Sequence, residues 1–250
     1  MKRLMCYIFG DVKSTNCGTV GMEVETQFFG KDDKPISVET SQKMFLDLVE
    51  RGSWRVKSIK GKLLTGIEDN KGNAFSYELG RHNIELSGTA LKPGQVIKNT
   101  KECMDQMYKA GMICGAYPMF APVWEKEEDL LVIPDERDAT WLALDGREAL
   151  APLARTSSIQ FTVSISYIGA IWRLNNLAAF LEYFLLDYPQ EAIWRKYIAE
   201  SKAGYKPDRY GGPLWFDSPE DYCQKLLSQE VVVAPKLVEF DKAGEVDIPL

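Results

Sequence analysis

Residues 20–28 read VGMEVETQF, a stretch in which polar and apolar side chains alternate. Because successive side chains of a β-strand point to opposite faces, Glu23, Glu25 and Gln27 share one face. The other face is apolar at Val24. The stretch therefore predicts a strand that carries two carboxylates and an amide on one side.

Two later stretches repeat this alternation, namely YELGRHNIELSG at residues 77–88 and TSSIQFTVSIS at residues 156–166. Asn83 and Glu85 share one face of the first, opposite Ile84 and Leu86. In the second, a polar row opposes an apolar row, which predicts a half-buried strand. The polar row is Gln160, Thr162 and Ser164; the apolar row is Ile159, Phe161, Val163 and Ile165.

Several carboxylates meet if the three polar faces line one cavity. Such carboxylates repel each other unless a cation lies among them, and magnesium prefers oxygen ligands of this kind. Two glutamates at i and i+2 on one strand are, by themselves, more often the solvated face of an antiparallel sheet. The further carboxylates and the strand that carries Gln160 favour the metal site.

Charge and composition exclude several classes of function. The chain has 250 residues, 45% of them hydrophobic, and a net charge of −6. A folded globular protein with a substantial core is expected, and the dispersed basic residues favour neither nucleic acid nor a membrane as partner. We find no phosphate-binding loop and no dinucleotide-binding glycine motif.

The thiols and the single histidine narrow the chemistry further. Five cysteines without a CxxC pair predict reduced thiols rather than a disulfide framework or a zinc site. His82 is the only histidine and is predicted to be a turn or sheet-edge residue, so a catalytic triad is not expected. The short apolar run at the start and the lack of a membrane span predict a cytoplasmic protein.

The spacing of apolar residues predicts an α+β fold with a largely antiparallel sheet and helices on one face, in a single domain over residues 1–250. The predicted strands are 20–28, 54–67, 74–87, 113–118, 130–134 and 156–166. One predicted helix begins after a cap at Thr40 or Ser41 and ends at Gly52. The other predicted helices run over 100–110, 175–186, 189–202 and 219–228.

These motifs resemble the glutamate–cysteine ligases, in particular their plant-like and bacterial branch, within the carboxylate–amine ligases that have a glutamine-synthetase-like fold. The resemblance rests on GMEVE (21–25), on ELGRHNIELSG (78–88) with the following TALKPGQ, and on RTSSIQFTVS (155–164). It continues more weakly through GAYPMFAP (115–122) and the segment of Arg137.

The resemblance implies roles for eight residues. Glu23, Glu25 and Glu85, with Glu78 as a further candidate, would bind Mg²⁺. Gln160 and Thr162 would lie beside the nucleotide, ATP. Arg137 and Arg155 would hold a substrate carboxylate or phosphate through the planar guanidinium fork.

The implied activity joins a carboxylate to an amine, as in glutathione biosynthesis. The γ-phosphoryl group of ATP moves to the carboxylate of a small amino-acid substrate, and the amine then displaces phosphate. The sequence leaves two alternatives open: a catalytically silent relative that binds a ligand or a partner chain, and an amide ligase for a peptide or a specialised metabolite.

Two departures from the family favour those alternatives. Thr162 stands where the family commonly carries Asn or His, and Ser164 where it carries Asp. The late Glu-x-Arg motif has no counterpart after Gln160, so the chain is expected to be shortened at its C-terminus. Either a second chain, in a homo-oligomer or with another partner, completes the site, or the site is incomplete.

Overall fold

The computed structural model describes residues 2–9, 18–180, 183, 186–201 and 215–228. Its seven strands are β1 (Val20–Phe29), β2 (Trp54–Lys60), β3 (Leu63–Asp69), β4 (Ala74–Tyr77), β5 (Asn83–Ser87), β6 (Tyr117–Met119) and β7 (Ile159–Val163). The helices are α1 (Lys2–Phe9), α2 (Val38–Glu50), α3 (Pro93–Ile113), α4 (Glu136–Asp145), α5 (Arg147–Leu150), α6 (Tyr167–Ala179), α7 (Pro189–Glu200) and α8 (Pro219–Leu227).

The strands form one sheet in the order β2-β3-β4-β5-β1-β6, with β7 also paired to β1. Every pairing in it is antiparallel. Strands β6 and β7 pair with the same edge of β1. Strand β7 pairs with residues 20–24 of β1, and β6 pairs with residues 27–29. The predicted α+β class with a largely antiparallel sheet is confirmed, and β1 lies at the centre of the arrangement.

One face of the sheet packs on α2 and α3. Phe28 of β1 and Leu86 of β5 are fully buried there against Phe45 of α2 and Met107 of α3. Burying a side chain of this size contributes roughly 1.5–3 kcal/mol, so this layer fixes which face of each strand turns inward. The polar face is thereby directed to the opposite side.

A second apolar cluster covers part of that opposite side. It contains Leu79 just after β4, Leu130, Leu153 and Tyr197 of α7. An isolated antiparallel bridge between Gly80 and Leu131 joins the segment after β4 to the segment around residue 130. The polar face of the sheet is consequently faced by the segment around residue 130 and by α4 and α7, so the prediction that the helices lie on one face is wrong.

The helix boundaries differ from the sequence predictions in places. The cap of α2 is Ser37, whose side chain accepts a hydrogen bond from the Thr40 amide, so the predicted cap at Thr40 or Ser41 is wrong. The prediction for 175–186 is also wrong at its start, because α6 spans Tyr167–Ala179, and residues 181–182 and 184–185 of that prediction lie outside the described residues. Apolar residues on both sides of the true boundaries hid these ends from a periodicity argument.

Four strand predictions need correction in their bounds. Residues 74–87 form two strands rather than one, because the turn at Arg81 and His82 separates β4 from β5. Residues 54–67 form two strands rather than one, because Gly61 turns the chain with a φ of +60° between β2 and β3. Of residues 113–118, Ile113 ends α3 and only the last two join β6. Residues 130–134 contribute the isolated bridge of Leu131 and no strand.

The predicted half-burial of the third stretch is wrong. Strand β7 is limited to Ile159–Val163, and all five of its residues are exposed. The side chains of Ile159, Phe161 and Val163 are 58%, 59% and 51% exposed. Alternation in sequence distinguishes the two faces of a strand, but it does not supply a layer that covers the apolar one.

No described helix combines the length and apolar character needed to cross a bilayer. Cys6, Cys103, Cys114 and Cys223 are free thiols, as the sequence predicted, and Cys17 lies outside the described residues.

Candidate metal and ligand site

A cavity of about 1330 Å³ lies between the polar face of the sheet and the elements that cover it. Six of the eight predicted site residues line this cavity: Glu23, Glu25, Glu78, Glu85, Gln160 and Arg137. The convergence that the three alternating stretches predicted is therefore present in the fold.

Strand register brings the glutamates together. Glu25 of β1 lies opposite Glu85 of β5, and Glu23 lies opposite Gln160 of β7. Glu78 follows directly after β4, and its amide donates to the Asn83 carbonyl across the turn, at 3.2 Å. Three neighbouring strands thus place four carboxylates at one end of the cavity.

Glu25, Glu78 and Glu85 form the tightest group, which we call the carboxylate triad. One carboxylate oxygen from each lies within 4.8 Å of the other two. Two opposite ligands of Mg²⁺ are about 4.2 Å apart, and those of Ca²⁺ about 5 Å apart, so a single divalent cation fits such a group. Glu23 lines the same cavity but lies outside the triad.

Hydrogen bonds fix two of the three carboxylates. Ser158 Oγ and Gln160 Nε2 donate to Glu25 Oε1, at 3.0 and 2.9 Å. Ser87 Oγ donates to Glu85 Oε1 at 2.6 Å. The Ser158 and Gln160 donors reach Glu25 from the neighbouring chain segment, whereas Ser87 holds Glu85 within β5. The role of Ser158 was not foreseen from the sequence.

The pKa values of Glu23, Glu25 and Glu78 report how unfavourable a negative charge is at these positions. Burial raises the pKa of Glu25 to about 7, opposed by the hydrogen bond from Ser158 and reinforced by the charge of Glu85. Burial, followed by the charges of Glu25 and Glu85, raises the pKa of Glu78 well above its ordinary value. Burial and the charge of Glu85 also raise the pKa of Glu23. A bound cation would reverse this penalty, and the triad therefore fits a divalent metal.

Arg137 of α4 brings a guanidinium group to the cavity. Its Nε lies 3.3 Å from Asp138 Oδ1, and its Nη2 lies 3.9 Å from Asp135 Oδ2. The guanidinium carbon lies 5.2 Å from the centre of the Trp141 ring. Burial opposes the charge, but Asp138, Asp135 and Glu78 together raise the pKa of Arg137. The group is held as a cation at the cavity wall.

Arg155 and Thr162 do not line the cavity. The Arg155 guanidinium donates to the backbone carbonyls of Glu125 and Lys126, at 3.3 and 3.2 Å, and so braces that segment. Thr162 is exposed on β7, opposite Gly21. The ligand-binding roles implied for these two residues have no support in their position.

His82 lies in the turn before β5, one of the two places predicted for it, and its side chain is fully buried. Its Nε2 lies 3.2 Å from Gln27 Oε1, while Gln27 Nε2 donates to Ser157 Oγ at 3.1 Å. Burial, with the nearby Arg81 charge, lowers the pKa of His82 to about 3, so the ring is neutral. The histidine therefore belongs to a polar network that joins β1 to the start of β7.

Apart from Arg137, sequence reasoning missed the residues that α4 and α7 contribute. Asp138 is 1% exposed, and burial raises its pKa to about 6. Gln190 is 7% exposed and lines the cavity, together with Trp141 and Trp194. No local motif distinguishes these positions, because only the tertiary fold places their helices over the sheet.

A scan of the chain against family models found no match, and a search of curated proteins found none either. Functional inference therefore rests on the residues and geometry described above.

Proposed function

We propose that this protein is an ATP- and Mg²⁺-dependent carboxylate–amine ligase of the glutamate–cysteine ligase type, with a glutamine-synthetase-like catalytic fold. The observation that carries the proposal is the carboxylate triad at one end of a large cavity. Burial raises the pKa values of Glu25 and Glu78, and with Glu85 beside them these carboxylates need a cation to become stable as anions.

The triad residues would hold the metal, with Glu23 close by. When bound, Mg²⁺ supplies positive charge that neutralises the phosphate oxygens of ATP during phosphoryl transfer. Gln160 and Ser158 act as positioning residues, since both donate hydrogen bonds to Glu25 Oε1. Their effect would be to keep the Glu25 carboxylate directed towards the cavity.

The size of the cavity supports a reaction of several substrates. Ordinary small-molecule sites have volumes of about 300–1,000 Å³, and this cavity, at about 1330 Å³, exceeds that range. It has room for a nucleotide beside an acid and an amine. Holding all three together removes much of the entropic barrier to reaction.

Arg137 is the residue best placed to bind the acid substrate. Its guanidinium fork suits a carboxylate, and Asp138 holds it at the wall. In the proposed reaction the substrate carboxylate takes the γ-phosphoryl group of ATP. The amine nitrogen then forms the C–N bond as the C–O bond to phosphate breaks. The products are the amide, ADP, phosphate and a proton.

Titration calorimetry with a non-hydrolysable ATP analogue tests the proposal. We expect binding in the presence of Mg²⁺, about tenfold or more weaker binding without it, and a comparable loss in Glu25→Gln. Glu102→Gln is the matched control, because it makes the same charge change near Lys98 on the surface of α3. Magnesium-independent binding, or no loss in Glu25→Gln, would contradict the proposal.

A nucleotide-binding relative without ligase turnover is the second candidate. Thr162 favours this candidate. The glutamate–cysteine ligases commonly have Asn or His at this position, and Thr162 does not line the cavity. Release of ADP in the presence of acid and amine supports the ligase. Magnesium-dependent nucleotide binding without ADP release, across a panel of acids and amines, supports the second candidate.

A further inference from the structure

Negative charge extends along the cavity beyond the four glutamates of the sheet. Asp135, Asp138, Asp187 and Glu191 line it as well, and Arg137 is the one basic residue among the described residues that do so. An anionic molecule without a bound metal is disfavoured there, because like charges repel. The chemistry of the cavity selects cations.

The residues that α7 contributes to the cavity lie far along the chain from the carboxylate triad. Asp187 comes just before the helix, and Glu191 lies in its first turn. Acidic side chains at this place stabilise a helix through its dipole, so the two carboxylates alone do not establish a ligand site. A further observation on the same turn does point to a ligand.

That observation is the side-chain carbonyl of Gln190. The residue is 7% exposed and lines the cavity, and its Oε1 is buried without a hydrogen-bond partner. A buried acceptor without a donor is unfavourable, and stability of the helix does not require it. An N–H donor from a bound molecule would satisfy the atom. An ammonium group offers up to three such donors, with the charge that the nearby carboxylates favour.

Two indole rings line the same end of the cavity. Trp194 is fixed by a hydrogen bond from its Nε1 to Thr156 Oγ1, at 3.2 Å. The Trp141 ring centre lies 6.5 Å from that of Trp194. Indole rings contact methylene chains favourably and attract cations to their faces. The surface therefore combines an acceptor, negative charge and apolar walls.

We propose that the α7 end of the cavity binds an ammonium group of a linear aliphatic diamine or polyamine. Gln190 Oε1 accepts a hydrogen bond from the ammonium, Asp187 and Glu191 supply the opposite charge, and Trp194 contacts the methylene chain. The binding itself is independent of catalysis.

The consequence for catalysis rests on the proposed ligase function. One amine of the molecule is held as an ammonium at α7 and keeps its proton. The other amine, in its neutral form, attacks the activated carboxyl carbon, phosphate leaves with the C–O bond electrons, and the extra proton on nitrogen passes to solvent. The product is a monoamide that retains one ammonium group.

Calorimetry with putrescine, without nucleotide, tests the binding directly. We expect putrescine to bind at least tenfold more tightly than 4-aminobutanoate or 1,4-butanediol, which replace one or both ammonium groups. Gln190→Leu, which keeps the side-chain bulk and removes the acceptor, should weaken putrescine binding about tenfold. Glu191→Gln should weaken it similarly, whereas Glu102→Gln, of equal charge change on α3, should leave it unchanged.

Several outcomes overturn the inference. They are equal binding of the three compounds, an unchanged affinity in Gln190→Leu when its circular dichroism and thermal melting match those of the wild type, and an equal loss in Glu102→Gln. If Gln190→Leu does not fold, the comparison of putrescine binding by Glu191→Gln and by Glu102→Gln provides the same test.

The two proposals fail separately. If putrescine does not bind while the magnesium nucleotide does, this inference is wrong and the ligase proposal stands. If putrescine binds and the magnesium nucleotide does not, the amine site stands without the proposed ligase function.

Discussion

Glu25 of β1 lies directly opposite Glu85 of β5 in the antiparallel register, so two like charges occupy neighbouring positions on one face of the sheet. Directly opposed like charges destabilise a sheet. Here a third carboxylate, that of Glu78, is added to them rather than a basic partner. The arrangement is unfavourable for the protein alone and favourable for a cation complex.

The contribution of Glu25 to the stability of the metal-free protein should fall as the pH rises. Burial raises the pKa of Glu25 from 4.5 to about 7, so between these values the folded protein binds a proton that the unfolded chain has lost. The free energy of unfolding therefore decreases with pH across this window, by about 3 kcal/mol for Glu25. Thermal unfolding between pH 5 and pH 8 measures the change.

Two controls belong to that experiment. Glu25→Gln should flatten the decrease, because glutamine does not titrate, and Mg²⁺ should restore stability at pH 8 by binding the ionised triad. If the stability of the wild type relative to Glu25→Gln does not fall between pH 5 and pH 8, the assigned burial of this carboxylate is wrong.

Replacing Arg137 should impair use of the acid substrate. Arg137→Lys removes the planar fork while it retains the charge, so we expect KM for the acid to rise about tenfold at nearly constant affinity for the nucleotide. Steady-state ADP release gives both values. Arg155→Lys is the comparison, because Arg155 contacts backbone carbonyls outside the cavity and its replacement should leave KM unchanged. An equal change of KM in Arg137→Lys and Arg155→Lys would contradict the proposed role of Arg137.

Gly80 is required by the turn that carries His82. A Cβ atom at Gly80 would lie 2.3 Å from the Ala154 carbonyl oxygen and 3.1 Å from the His82 ring. Gly80→Ala should therefore destabilise the protein by about 1–3 kcal/mol, since backbone must move. Gly94→Ala in α3 meets nothing within 4 Å and should be neutral or stabilising by up to about 1 kcal/mol. Urea unfolding of both variants checks the contrast, and equal stabilities would count against this packing.

The sequence predicted the acidic end of the cavity because strand periodicity is local. Alternation at Glu23 and Glu25 sets their face without knowledge of the tertiary fold, and the same holds for Glu85. Strand periodicity could not predict which elements cover each face of the sheet. The exposed Phe161 of β7 shows that an apolar row does not guarantee a partner within the described structure.

The other end of the cavity was beyond sequence reasoning. Gln190 is one polar residue in a helix of mixed character, and its unpartnered Oε1 is defined only by what surrounds it. His82 illustrates the same limit, because its partner Gln27 lies 55 positions away in the chain. Long-range contacts of this kind leave no periodic signal.

The most direct test of the account is binding of Mn²⁺, a paramagnetic substitute for Mg²⁺, followed by electron paramagnetic resonance. We predict binding to the wild-type protein that weakens about tenfold or more in Glu25→Gln, Glu78→Gln and Glu85→Gln, and less in Glu23→Gln, because Glu23 lies outside the triad. Glu102→Gln should bind as the wild type does. Absence of Mn²⁺ binding at neutral pH, or equal affinity in the triad variants and Glu102→Gln, would contradict the central claim that this carboxylate triad is a metal site.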